Sequence, residues 1–329
     1  MKTRITGIVH RATLASAVAI ACLSWQGAWA QAYPSKTVRI VVPFGAGGPA
    51  DIYARYLGQR LQETLGQSFV VEDRPGAGSI IGTDSVAKSP ADGYTLLLMS
   101  NTHTVNETLV HKKPFTLMKD FAPIAPINSS DLLLVVHPSV PAKTVKELLA
   151  LAKARPGVMN YASSGTGTPY HMAGELFKAM AHVNIAHIPH KSSGEARTSV
   201  MSGQVEMMMD AITTMWPIAK SGRVRALATT GAHRSPITPE LPTVAEAGVP
   251  GYVAPIWLGI MAPAGTPKPV IDKLNAEITK IVQRPDVKKA WIAQGAEPMM
   301  MTPVEFEKYL NGDIAKWAKV IKSAGIRVD

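Results

Sequence analysis

The sequence predicts an α/β protein of two lobes, each a β-sheet wrapped by helices. Three observations carry that expectation. Short apolar runs alternate with segments of helical period, the pattern of parallel βαβ units with helices on both faces. Glycine-rich turns between strand and helix recur at residues 45–51, 74–79 and 163–168. The C-terminal part offers too few strands for a domain of its own, so it returns to the first lobe. The chain then crosses between lobes twice, near residues 125–132 and 250–257, which makes a hinge.

The first strand, residues 38–42, is Val-Arg-Ile-Val-Val. Residues 43–51, Pro-Phe-Gly-Ala-Gly-Gly-Pro-Ala-Asp, join it to an amphipathic helix with Ile52, Tyr56, Leu57 and Leu61 at its apolar or aromatic positions. Pro49 suits the first helical position, where its missing N–H costs nothing. A strand at 69–72 leads through Arg74-Pro75-Gly76-Ala77-Gly78-Ser79 into a helix at 80–88, and a third strand follows at 94–99. Residues 132–136 form another strand, closed by His137-Pro138. The helix at 144–154 has Thr144 as its cap, with Glu147 three residues on.

A strand at 159–162 runs into Ser163-Ser164-Gly165-Thr166-Gly167-Thr168 and a helix over 169–180 that carries His171. Next come a strand at 184–188, a helix at 196–201, a strand at 205–209 ending on Asp210, and a strand at 227–230. Residues 236–251 are dense in proline and glycine and read as a surface loop. A strand at 257–261 and helices at 268–282, 285–294 and 303–324 complete the chain. Lobe 1 is thus 31–128 plus 254–329, and lobe 2 is 129–253.

Residues 1–30 read as a secretory signal peptide. Lys2, Arg4 and Arg11 form the basic part, residues 12–23 the apolar part, and Ala28-Trp29-Ala30 the cleavage site. A lipoprotein signal cut before Cys22 is the rival, opposed by the missing leucine three positions upstream. The apolar run is far short of the roughly 20 residues that span a bilayer, and no later segment qualifies. Cleavage after Ala30 removes Cys22, the sole cysteine, and so excludes disulfides and thiolate chemistry. About 300 residues remain, which suits two lobes. Net charge is +10, yet the basic residues are scattered with no run of four. A nucleic-acid footprint would be clustered; a modest field favouring small anions fits better.

The three glycine-rich turns each follow a strand, so each stands at the carboxyl edge of its sheet, where open α/β sheets bind ligands. Their glycines let backbone approach a ligand closely, and the unpaired N–H groups at a helix start suit an anion. Two lie in the first lobe and one in the second, facing across the cleft. Hydrogen bonds to a charged group contribute roughly 1.5–3 kcal/mol each, so four or five give about 6–15 kcal/mol. Association costs about 4–15 kcal/mol. One carboxylate on one loop is therefore marginal, and both lobes must contribute.

Other residues have plainer readings beside functional ones. Asp51 is either a first-turn acid favouring its helix dipole or a water-mediated site group. Asp210 has a ligand role or a hinge role. His187-Ile188-Pro189-His190 resembles a metal pair but lacks acidic or thiol partners and reads as structural. His171 reads as a packed or capping histidine, and Met207-Met208-Met209 and Met299-Met300-Met301 as filler. Nucleophile-elbow, Walker and zinc-ligand patterns are absent, so neither catalysis nor a cofactor or metal is expected. The enzymatic rival takes Ser163 or Ser164 as nucleophile with His171 as base.

At these residues the chain resembles the Bug family, formerly UPF0065, the periplasmic solute receptors of tripartite tricarboxylate transporters. The likeness rests on Tyr33-Pro34, on Val42-Pro43-Phe44 with Ala46-Gly47-Gly48 and Asp51, and on Val71-Glu72-Asp73-Arg74-Pro75-Gly76-Ala77-Gly78. It continues through Asp92-Gly93-Tyr94-Thr95-Leu96, Tyr161-Ala162-Ser163-Ser164-Gly165, Gly167-Thr168 and His171. Pro242-Thr243-Val244-Ala245-Glu246-Ala247-Gly248, Trp257, Gly259 and Ala262-Pro263-Ala264-Gly265-Thr266-Pro267 complete it.

The resemblance implies a type II periplasmic-binding-protein fold, two doubly wound lobes that close like a flytrap on a small mono- or dicarboxylate. It implies a monomer serving integral-membrane permease subunits; a sensory receptor for the same ligand is the alternative. In the family the loops at 46–48 and 76–78 hold one carboxylate, partly through ordered waters, and 163–168 and the Asp210 region act from the other lobe. The candidate set is Phe44, Ala46, Gly47, Gly48, Asp51, Gly76, Ala77, Ser79 and Ser100 from the first lobe. The second supplies Ser163, Gly165, Thr166, Thr168 and Asp210. Asp73, Ser79 and His190-Lys191-Ser192 depart from the usual asparagine, glycine and tyrosine-lysine-glycine. With 20 aromatic residues in the chain, stacking does not choose among a dicarboxylate, an aromatic acid and an acidic amino acid.

Overall fold

Two mixed sheets organise the chain in the computed structural model, which describes residues 33–326. The leader, its cleavage site and Cys22 lie outside the described residues. From Thr37 onward the chain forms one compact unit.

The first sheet has six strands in the order β11-β4-β10-β3-β1-β2. These are β1 (Val38–Val42), β2 (Phe69–Asp73), β3 (Thr95–Ser100), β4 (Phe121–Ser130), β10 (Ile256–Pro263) and β11 (Ala296–Pro298). β1 lies parallel to β2 and β3, whereas β10 runs antiparallel to both β3 and β4. The second sheet has the order β7-β6-β8-β5-β9. It comprises β5 (Leu132–Val136), β6 (Asn160–Ser163), β7 (Ala186–Pro189), β8 (Met207–Ala211) and β9 (Arg225–Thr229). β6 is parallel to β7 and β8, but β5 is antiparallel to β8 and β9. The sheets are therefore mixed, because each of the two crossings brings a strand in from the opposite direction.

Both strand β5 and strand β10 are buried along their whole length, as expected of strands covered on both faces. Helices cover them. α1 (Pro49–Leu65), α2 (Ile80–Ala87), α3 (Asn101–Leu109) and the short α4 (Leu117–Asp120) follow the first strands. α5 (Val145–Ala154), α6 (Pro169–Ala181), α7 (Ser193–Met201) and α8 (Ile212–Lys220) belong with the second sheet. α9 (Lys268–Gln283), α10 (Pro285–Ile292) and α11 (Pro303–Ala324) return to the first. The Thr144 hydroxyl accepts the Glu147 N–H, so α5 starts where its sequence signal places it.

One apolar cluster joins the two sheets' helices: Val105 and Leu109 of α3, Met172 of α6, and Trp317 and Ile321 of α11. Tyr53 of α1 also lies 3.3 Å, hydroxyl to hydroxyl, from Thr213 of α8. The two crossings run side by side: Thr230 exchanges hydrogen bonds with Leu132 and Ala254. The two lobes thus meet away from the hinge as well as at it.

Candidate functional site

Five helices, α1, α2, α3, α6 and α7, begin at one cavity. α1 starts after Gly48, whose extended backbone supplies no side-chain cap. Its third residue, Asp51, reaches back instead: Oδ2 accepts the Gly47 N–H at 2.8 Å, where Gly47 has φ +73°. The Asp51 carboxylate is paired by Arg55, which also reaches Asp73 at 2.8 Å. Burial, reinforced by Asp51, pushes the Asp73 carboxyl up, and Arg55 opposes the shift.

Between β2 and α2 the residues Gly76, Ala77, Gly78 and Ser79 all have positive φ, at 134°, 46°, 61° and 78°. This run brings bare backbone up to the cavity, and the Ala77 and Gly78 amides are among those left for a ligand. Asn106 holds the loop by donating to the Gly78 carbonyl at 2.9 Å. Gly82 presses on the Arg74 carbonyl and Pro43, so that the two loops abut; a Cβ there would lie 2.6 Å from the oxygen. Ser100 ends β3 and caps α3 by accepting the Thr102 N–H.

In the second lobe, Ser163 ends β6 fully buried. Its Oγ lies 2.6 Å from His187 Nε2 and accepts the Gly165 N–H at 3.1 Å. Thr168 caps α6, accepting the His171 N–H and donating to the Gly165 carbonyl. His171 is the third residue of α6, and its Nδ1 accepts the Gly167 N–H at 3.1 Å. Burial lowers the His171 imidazole to about 4, with Lys178 adding to the effect. β7 leads through His190-Lys191-Ser192 into α7, where Ser192 accepts the Glu195 N–H. Asp210, wholly buried at the end of β8, is raised to about 6 by burial, which outweighs Arg197 at 3.1 Å.

The cavity encloses about 430 Å³ between these loops. Of the fourteen residues proposed from sequence, Phe44, Ala46, Gly48, Gly76, Ala77, Ser79 and Ser100 line it from the first lobe, and Gly165, Thr166 and Thr168 from the second. Gly47, Asp51, Ser163 and Asp210 stand behind the wall, holding it by the bonds just given. The lobes touch across it: a Cβ on Gly78 would lie 3.3 Å from the Thr166 carbonyl, and one on Gly45 3.6 Å from Ser192 Cβ. Among the described residues, the amides of Ala46, Gly48, Ala77, Gly78 and Thr166 donate to no protein acceptor. Among the described residues no acidic side chain lines the space, and Lys191 does. The lining therefore offers donors and positive potential.

The departures at 190–192 bear on the distal pocket, as read from sequence, but the helix after them begins at Ser193 rather than at 196, and Tyr170 was not foreseen. The segment 190–194 forms the cavity's fourth loop, and Tyr170 is buried beside it. A signal was present: Ser192 with Glu195 three residues on is a capping-box spacing. The suggested Ser163–His171 pair does not form, since the Ser163 hydroxyl bonds His187 and His171 Nδ1 serves Gly167. Among the described residues no group of histidine, cysteine or acidic side chains is arranged to hold a metal.

The family model described as the tripartite tricarboxylate transporter family receptor matches residues 53–326. Protein BugT of Bordetella pertussis is 37% identical over 301 residues, 91% of this chain and 92% of BugT. Among solved structures, R. palustris Rpa4515 with adipate has a TM-score of 0.87 at 36% identity, covering 90% of this chain and 99% of that one. MatC (Rpa3494) from Rhodopseudomonas palustris with bound malate has a TM-score of 0.83 at 31% identity, covering 88% of this chain and 100% of that one.

Proposed function

Since this chain belongs to the tripartite tricarboxylate transporter receptor family, we propose that it is a periplasmic receptor for one small organic carboxylate. The leader read at residues 1–30 exports it. Residues 31–128 with 254–329 close on residues 129–253 around the ligand, and the closed monomer delivers it to membrane permease subunits without chemical change. The observation that carries this reading is the convergence of five helix N-termini and free backbone amides on one cavity with no acidic side chain among its described lining residues. Such donors favour a negative group, and 430 Å³ lies within the range of small-ligand sites. Adipate and malate, bound by two similar proteins, mark the ligand class. No helix among the described residues is long and apolar enough to cross a membrane.

Calorimetric titration of the mature protein against mono- and dicarboxylates, with neutral isosteres alongside, tests this. Saturable one-to-one binding of a carboxylate and none of its amide is expected. Binding of a neutral solute with no carboxylate bound would overturn the anion reading. Loss of uptake of that carboxylate on deleting the gene tests delivery to a transporter.

A further inference from the structure

Every helix start needs its free N–H groups satisfied, and one recurrent device is a glutamate at the third helical position reaching back. Three helices of this protein use it. Glu147 of α5, Glu195 of α7 and Glu305 of α11 each accept an upstream N–H, and all three side chains are exposed. Water and salt screen an exposed charge. The helices whose third residue is buried beside the cavity do something else.

In α3 that residue is His103, 1% exposed, with Nδ1 accepting the Ser100 N–H at 3.2 Å. The Thr83 hydroxyl gives its proton to the Ser79 carbonyl at 2.8 Å, so it accepts from His103 Nε2 at 3.0 Å. With the Ser100 N–H on Nδ1 and the Thr83 hydroxyl accepting at Nε2, the imidazole is neutral and protonated on Nε2; the Ser100 carbonyl also stands 3.2 Å from Nδ1. In α6 the residue is His171, 4% exposed, whose Nδ1 accepts from Gly167. In α1 it is Asp51, 6% exposed, and there Arg55 supplies the opposite charge. So each buried cap at the cavity is either uncharged or neutralised in place.

We infer that His103 and His171 are positioning residues that tie down the amides behind the binding loops with an uncharged acceptor, leaving the positive helix ends unopposed for a ligand's negative group. The inference rests on the receptor reading above. A buried carboxylate at either position would make the same bond while competing for the field that holds the ligand. Both imidazoles stay neutral at physiological pH, since burial brings each down to about 4. His171 faces Glu175 and Lys178 on its own helix, and His187 and Tyr161 on β7 and β6. Lys178 pairs with Glu175 at 2.7 Å, so these neighbours add little net charge.

The experiment compares His171→Gln with His171→Glu by titration with adipate and malate from pH 5.5 to 8. Glutamine keeps an acceptor without charge, and its affinity should fall by no more than about threefold. Glutamate should lose about tenfold or more at pH 8 by direct charge repulsion, and should recover as pH falls and it protonates. A purely structural role gives no such recovery. Equal losses in both variants, or no pH dependence in the glutamate variant, overturn the inference. Failure of the wild type to bind any carboxylate sinks the receptor reading instead. Nitrogen-15 histidine NMR of the wild type decides the caps without ligand: both rings should stay neutral and protonated on Nε2 from pH 5.5 to 8. Titration of either ring near its ordinary value overturns the inference, as does a proton on Nδ1.

Discussion

The Arg197 guanidinium lies 3.1 Å from the carboxylate of Asp210, which has no solvent exposure at all. This pair joins α7, which forms the fourth loop of the cavity, to the end of β8. Removing one partner of a buried pair costs about 3–5 kcal/mol because the other charge is stranded. Asp210→Ala and Arg197→Ala should each lower the unfolding free energy by about 3 kcal/mol. The double variant should lose clearly less than the sum. Urea unfolding of all four proteins closes the cycle, and additive losses would refute the coupling.

Two sets of buried groups make stability depend on pH in opposite senses. Burial lowers His103 and His171 to about 4 and His187 to about 3. Their stabilisation is present above the unfolded value near 6.5 and is lost as pH falls toward 4. Asp131 and Asp210 are raised to about 6, chiefly by burial, so their contribution runs the other way and grows from pH 6 down to 4. One pKa unit is about 1.4 kcal/mol, so two aspartates and two histidines, at about 3 kcal/mol each, roughly cancel. Asp73 and Asp313, also pushed up by burial, add to the aspartate side. On going from pH 7 to pH 4.5, Asp131→Asn should therefore lose more melting temperature than the wild type, and His187→Asn less. Equal pH profiles for the three proteins would contradict this.

Closure should be sensitive to bulk at Gly78, whose Cβ position is 3.3 Å from the Thr166 carbonyl in the opposite lobe. Gly78→Val adds a branched side chain there, at φ +61°. The backbone strain costs roughly 1–2 kcal/mol, and the added bulk holds the lobes apart. Affinity for the bound carboxylate should drop about tenfold or more, while the melting temperature of the unliganded protein falls by only a few degrees. Unchanged affinity by calorimetry would mean that the lobes do not close along this contact.

The strands of both sheets that are aliphatic runs, β1, β5 and β8 among them, were legible because Val, Ile, Leu and Met declare a buried strand directly. β4 was not. It reads Phe-Ala-Pro-Ile-Ala-Pro-Ile-Asn-Ser-Ser, and prolines cannot donate to a ladder. The structure accommodates them with two register shifts against β10, at the pairings of Pro126 with Gly259 and Pro123 with Met261. Helix α3 was missed because Asn101–Leu109 is mostly polar and still buried, with His103, Asn101 and Thr104 bonded to Thr83, Pro255 and Asp313 from distant parts of the chain. The α8 segment hides behind Pro217. Glycine turns announced three of the cavity's loops. The fourth showed in the sequence only as the departure at 190–192, and its place follows from β6 and β7 lying side by side, which brings the His190 carbonyl within 3.5 Å of a Cβ on Gly165.

Thr230 tests the hinge. Directly after β9 it donates its N–H to the Leu132 carbonyl at 3.0 Å, and its hydroxyl accepts the Leu132 N–H at 2.8 Å. The same hydroxyl donates to the Ala254 carbonyl at 3.0 Å, while the Thr230 carbonyl accepts the Ala254 N–H at 2.9 Å. One wholly buried side chain thus links the two segments that run between the sheets. Thr230→Val keeps the shape and removes the hydroxyl, stranding a donor on one crossing and an acceptor on the other. Each unsatisfied group costs about 1–3 kcal/mol, so the variant should lose about 2–6 kcal/mol. Exchange of the Leu132 amide should quicken more than that of amides within β1. Thr230→Ser, which keeps the hydroxyl, should retain most of the stability. If valine costs no more than serine, the linkage through that hydroxyl does not hold the crossings together, and backbone pairing alone does.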